Sequence, residues 1–72
     1  MAHRKVNKML RIRAERKKRG LWLEDLAYLA RVPAADISRI ETGRMKPYPN
    51  HAARLAEILG VEPEQLCEEV EG

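Results

Sequence analysis

The amino-acid sequence predicts an all-α protein, a compact bundle of five short helices. Three observations point that way. Apolar residues recur at helical spacing, at Leu23, Leu26, Ala27 and Ala30 and again at Ala52, Leu55, Ala56 and Leu59. Glycines and prolines stand between these runs, at Gly20, Pro33, Gly43, Pro47, Pro49, Gly60 and Pro63, where helices start and stop. Aromatic residues, which favour strands, make up only 4% of the chain, and no obvious alternating stretch appears.

The first helix is expected over residues 7–18, strongly charged, with Met9, Ile12 and Arg16 on one side and Gly20 placed to end it. The second covers 23–30. Pro33 begins the third, since its fixed φ suits a first helical turn, and Asp36 favours the exposed amides there. Ile37 and Ile40 form its buried stripe and Gly43 its stop. The segment "RMKPYPN" is extended, because the residue before each proline is pushed out of the helical region. Asn50 is expected to cap a fourth helix that Gly60 ends, and Pro63 to open a short fifth helix carrying Leu66 and Val70.

Seventy-two residues suffice for one domain, 1–72, which buries about 60% of the surface its unfolded form exposes. So small a core gains from a partner. The net charge of +3 hides a strong polarity. Residues 1–20 hold nine bases against one acid, a charge of +8, and the remainder five bases against ten acids, a charge of −5. The basic end attracts polyanions, with residues 1–6 as a flexible arm that has little to bury. A lone cysteine, Cys67, forms no internal disulfide and has no metal-ligand company, which fits a reducing cytoplasm. The sequence shows neither a membrane-spanning run nor a signal peptide.

Leu26, Ala30, Val32, Ile37 and Ile40 supply the apolar contacts of two helices joined by a tight corner, and Ala27 is small where they cross. Such a pair, over residues 23–41, forms a helix-turn-helix whose second helix can lie in a DNA major groove, although the spacing alone also suits any small helical hairpin. With "RAERKKRGL", "LAYLARVPAADISRIETGRMKP" and "RLAEILGVEPEQL", the chain resembles the Cro and lambda-repressor type helix-turn-helix domains, the XRE family, over residues 10–67 without a break in register. The resemblance implies a five-helix DNA-binding transcriptional regulator, cytoplasmic and nucleoid-associated when bound, that meets double-stranded DNA as a homodimer without a cofactor. It puts base reading at Ala34, Ala35, Ser38 and Arg39 of a recognition helix at 33–41. Phosphate binding falls at Trp22, Arg31, Thr42, Arg44 and Lys46, and Arg16 with Glu41 forms a structural ion pair. The surface expected to join two copies carries Leu66 and Val70 near Cys67.

Several residues depart from the family pattern. Leu23 stands where a phosphate-binding glutamine is common, and Trp22 retains only an indole N–H. Ala34 and Ala35 offer methyl groups, so direct readout rests on Arg39, whose fork can hold guanine O6 and N7. Arg31 occupies a corner where glycine is favoured. Alternatives stay open for each site: Arg39 could form an exposed pair with Asp36 or Glu41, Tyr48 could simply pack in its loop, and Lys17, Lys18 and Arg19 could be a solvated face adding long-range attraction. The second functional class is a protein-docking module with an apolar patch at Trp22, Leu23 and Leu29. Catalysis finds no support, because Ser38 has no histidine at a plausible spacing and His3 and His51 lie far apart in sequence. Neither a metal site nor a small-molecule ligand is evident.

Overall fold

The computed structural model describes residues 8–71. The expected basic arm at 1–6 lies outside the described residues. The order is strand β1 (Lys8–Leu10), helices α1 (Arg11–Lys18), α2 (Leu23–Ala30), α3 (Ala34–Glu41) and α4 (Pro49–Leu59), a 3-10 turn at Pro63–Gln65, and strand β2 (Glu69–Glu71). Four α-helices and a small antiparallel strand pair thus replace the expected five helices.

The two ends of the described chain account for the difference. β1 pairs with β2, setting Lys8 opposite Glu71 and Met9 opposite Val70, an opposite-charge pair and an apolar pair. Three-residue strands are too short to show alternation, and the four-residue step from Leu66 to Val70 mimics a helix. No side chain caps α1. Its first amides instead donate to the C-terminal segment, Arg11 N–H to Glu68 O at 2.7 Å and Ile12 N–H to Leu66 O at 2.9 Å. α1 therefore starts at Arg11, where the partner carbonyls are, and not at residue 7.

Two helix starts also differ from expectation. Pro33 (φ −56°, ψ 136°) is the boundary residue before α3 and not part of its first turn. Pro49 is the first residue of α4 after the extended Tyr48, so Asn50 stands inside the helix, where it cannot cap it. The limits of α2 fall at 23 and 30, and Gly60 ends α4 in the left-handed region at φ 70°.

All four helices contribute to one core. Ile12, Leu26, Ile37, Ile40, Leu55, Leu59 and Leu66 are fully buried, each contributing about 1.5–3 kcal/mol by leaving water. Leu66 therefore belongs to this core and is not available to join two copies. Val70 is half-buried opposite Met9, and of the expected joining surface only Cys67 is exposed.

Among the described residues Glu41 is the one buried charged side chain. It accepts hydrogen bonds from Arg16 Nε at 2.7 Å and Nη2 at 3.0 Å, while Arg16 Nη1 donates to Leu21 O at 2.9 Å. One guanidinium so connects α1, the α1–α2 turn and the end of α3. The Glu41 carboxylate in turn raises the Arg16 pKa, keeping the cation charged despite its burial. Glu41→Ala, which strands that cation, is predicted to lower the unfolding free energy by about 3 kcal/mol in urea denaturation, with much of the loss recovered in Arg16→Met/Glu41→Leu.

Candidate nucleic-acid interface

α3 directs Ile37, Ile40 and Glu41 inward, which fixes what its other side displays. Ala35, Ser38 and Arg39 are exposed and Ala34 is half-buried, so these four positions share the outer side of the helix. Arg39 Nη1 donates to Asp36 Oδ1 at 3.1 Å. An exposed pair at this spacing contributes about 0.2–0.5 kcal/mol, so the guanidinium can exchange Asp36 for a stronger acceptor at little cost. The two alanines supply methyl groups, and Ser38 supplies one hydroxyl.

Thr42 closes α3. Its hydroxyl donates to Ser38 O (3.0 Å) or Arg39 O (3.2 Å), and its N–H donates to Ser38 O at 3.1 Å. With both donors engaged on helix carbonyls, Thr42 has no free proton for a phosphate. Beyond it burial alternates: Met45 and Pro47 are half-buried, while Arg44, Lys46 and Tyr48 are exposed. Met45 packs against the core. In an extended segment neighbouring side chains point to opposite sides, so anchoring Met45 turns both loop cations outward. That alternation is legible in "RMKPY", where an apolar residue stands between the two cations.

The start of α2 has a different character. Trp22 N–H donates to Asp25 Oδ2 at 2.8 Å, and the indole carries no acceptor that could return a bond to the backbone. Trp22 is 75% exposed. It lines a cleft of about 470 Å³ with Arg13, Lys17 and Leu23 toward α1 and Ser38 and Thr42 on the α3 side. Leu23 is half-buried against the core and so offers little apolar surface outward. Leu29 is exposed but lines a separate cleft with Ala27, Tyr28 and Arg31. The three residues expected to form an apolar docking patch are therefore not gathered into one.

Arg31 is the only non-glycine residue with positive φ among the described residues, at φ 58° and ψ 47°. Holding a side chain there costs about 1 kcal/mol. Arg54 offsets part of that cost by donating from Nε to Ala30 O at 2.7 Å and from Nη2 to Arg31 O at 3.1 Å, placing a cation on the carbonyl end of α2. Sequence reasoning counted Arg54 only as a charge, because nothing local in "AARLAE" reveals a partner 23 residues away. Arg31 itself stands apart from the Trp22 cleft, whereas Arg44 and Lys46 belong to the loop that leaves it. Replacing Arg31 with glycine is predicted to raise the unfolding free energy by about 1 kcal/mol, and Arg54→Ala to lower it by about 1–2 kcal/mol, both measured in urea.

Among the described residues no group of three His, Cys, Asp or Glu side chains could hold a metal ion, and no helix is long and apolar enough to cross a membrane.

A family model described as a helix-turn-helix domain matches residues 10–69. Among solved structures, the restriction-modification controller protein C.AhdI from Aeromonas hydrophila is similar, with a TM-score of 0.69 and 30% sequence identity over 78% of this chain and 85% of that one. Comparison with curated proteins gives no match.

Proposed function

Because the chain belongs to the helix-turn-helix family of Cro and lambda-repressor type, a family of DNA-binding transcriptional regulators, we propose that it binds specific duplex sequences as a homodimer, through α3 in the major groove. The observation that carries the reading is the outer side of α3, where two small residues flank an exposed arginine tied down only by a weak pair. In this reading Arg39 leaves Asp36 and places its fork on guanine O6 and N7, a contact worth about 1–3 kcal/mol of discrimination. Ala34 and Ala35 let the helix backbone approach closely and pack on thymine methyls, and Ser38 supplies a single small polar contact. Arg44 and Lys46 hold phosphates on the neighbouring backbone, and Arg31 adds attraction at longer range.

Homodimerisation is supported by the reach of one helix. Eight residues span about 12 Å, or three to four base pairs at 3.4 Å each, which is too short a sequence to mark a site uniquely. Two copies whose α3 helices lie about 34 Å apart would read two half-sites on one side of the duplex.

The test is a titration of duplex DNA followed by fluorescence anisotropy at several salt concentrations, first with random sequence and then with a site obtained by selection. Steep weakening with salt and a selected palindrome are expected. Arg44→Ala and Lys46→Ala should weaken binding to all sequences alike, whereas Arg39→Ala should erase the preference at one base pair per half-site. Salt-insensitive or absent binding by the unaltered protein would overturn the reading, and sedimentation of the DNA complex as a single copy would overturn the dimer.

A further inference from the structure

The cations of α1 fall into two groups. Arg11 pairs with Glu68 at 3.1 Å and approaches Glu15 at 3.7 Å, Arg16 is held by Glu41, and Arg19 donates to Glu15 at 2.6 Å. Through that last bond, Arg19 holds the Glu15 carboxyl below the usual carboxylate range. Arg13, Lys17 and Lys18 form no ion pair among the described residues, and all three are exposed. Arg13 and Lys17 are four residues apart and so lie on one side of the helix, and both line the Trp22 cleft. Lys18 does not reach that cleft; it lines a groove with Met9 and Val70 that Lys17 also borders.

The Trp22 cleft lacks the contact expected at its other edge. Leu23 has no polar side-chain atom, the Trp22 backbone N–H is occupied by Asp25, and both Thr42 donors serve the end of α3, which leaves the exposed Trp22 indole N–H as the one free side-chain donor of these three residues. Its acids are Glu41, neutralised by Arg16, and the exposed Glu24. Three cations against two acids leave the cleft with one net positive charge, which Arg13 and Lys17 supply. A second hollow of about 310 Å³ continues from Arg13 past Thr42 and Gly43 to Lys8 of β1, and with Glu41 and Glu69 in its lining it adds no net charge.

We propose that Arg13 and Lys17 of α1 clamp a DNA backbone phosphate at the Trp22 cleft, with the exposed indole covering the adjoining sugar, in place of the contact that a polar residue at position 23 would make. The duplex is then held by α1 here as well as by the Arg44–Lys46 loop. This inference rests on the DNA-binding reading above and assigns the anchor that reading lacks.

The experiment compares the salt dependence of random-duplex affinity in the unaltered protein, Arg13→Gln/Lys17→Gln, the charge-preserving Arg13→Lys/Lys17→Arg, and Lys18→Gln, with thermal melts to confirm folding. Loss of one phosphate contact should reduce the slope of log K against log salt by about 1 and weaken binding about fivefold near 0.15 M salt. The proposal expects that change in the glutamine pair alone. A slope in the glutamine pair equal to that of Lys18→Gln would overturn the clamp while leaving DNA binding intact. A flat salt response in the unaltered protein would overturn the DNA reading itself. Should the glutamine pair melt early, Lys17→Gln alone must still lower the slope relative to Lys18→Gln, or the proposal fails.

Discussion

The buried pair between Arg16 and Glu41 is the constraint on which the rest depends. Glu41 is 9% exposed and is the last residue of α3, two positions after the outward-facing Arg39. Its two bonds to Arg16 therefore set how α3 is rotated against α1, and the third Arg16 bond, to Leu21 O, fixes the turn that delivers Trp22 and α2. An apolar contact in its place would tolerate sliding; a two-point guanidinium–carboxylate fork has one geometry. The display of Ala34, Ala35, Ser38 and Arg39 and the walls of the Trp22 cleft both follow from that orientation.

Charge in this chain has two uses that composition cannot separate. Arg16 and Arg54 face carbonyl or carboxylate oxygens inside the protein and hold elements together, whereas Arg13, Lys17, Arg44 and Lys46 face outward with no ion pair among the described residues. A count of +8 in the first twenty residues overstates what an approaching polyanion meets, since Arg11, Arg16 and Arg19 already have acidic partners. The electrostatic surface is narrower and more directional than the sequence implies.

The helices were legible wherever spacing and punctuation agreed. α2 and the stops of α1 and α4 follow from apolar steps of three and four and from Gly20 and Gly60. The starts that failed have different causes: α1 waits for the distant carbonyls of residues 66 and 68, whereas α4 takes the adjacent Pro49 in preference to an asparagine cap. At the candidate interface the outward residues of α3 could be read because its inward stripe was clear. The engagement of Thr42 and the role of Arg54 could not, because they depend on which lone pairs and protons remain free once the chain has folded.

The β1–β2 ribbon bears on the order in which the molecule assembles. Lys8 meets Glu71 across nearly the whole described chain, and closing a loop of that length from the unfolded state costs about 3–4 kcal/mol, more than three residue pairs return. The ribbon becomes favourable only after the helices have brought its strands together, so it forms late and is the first pairing to open. Since the same C-terminal segment satisfies the first amides of α1, opening it also frays the helix that carries Arg13 and Lys17. The grip of α1 on a ligand is thereby coupled to the integrity of a six-residue seam whose second strand is the last element of the described chain.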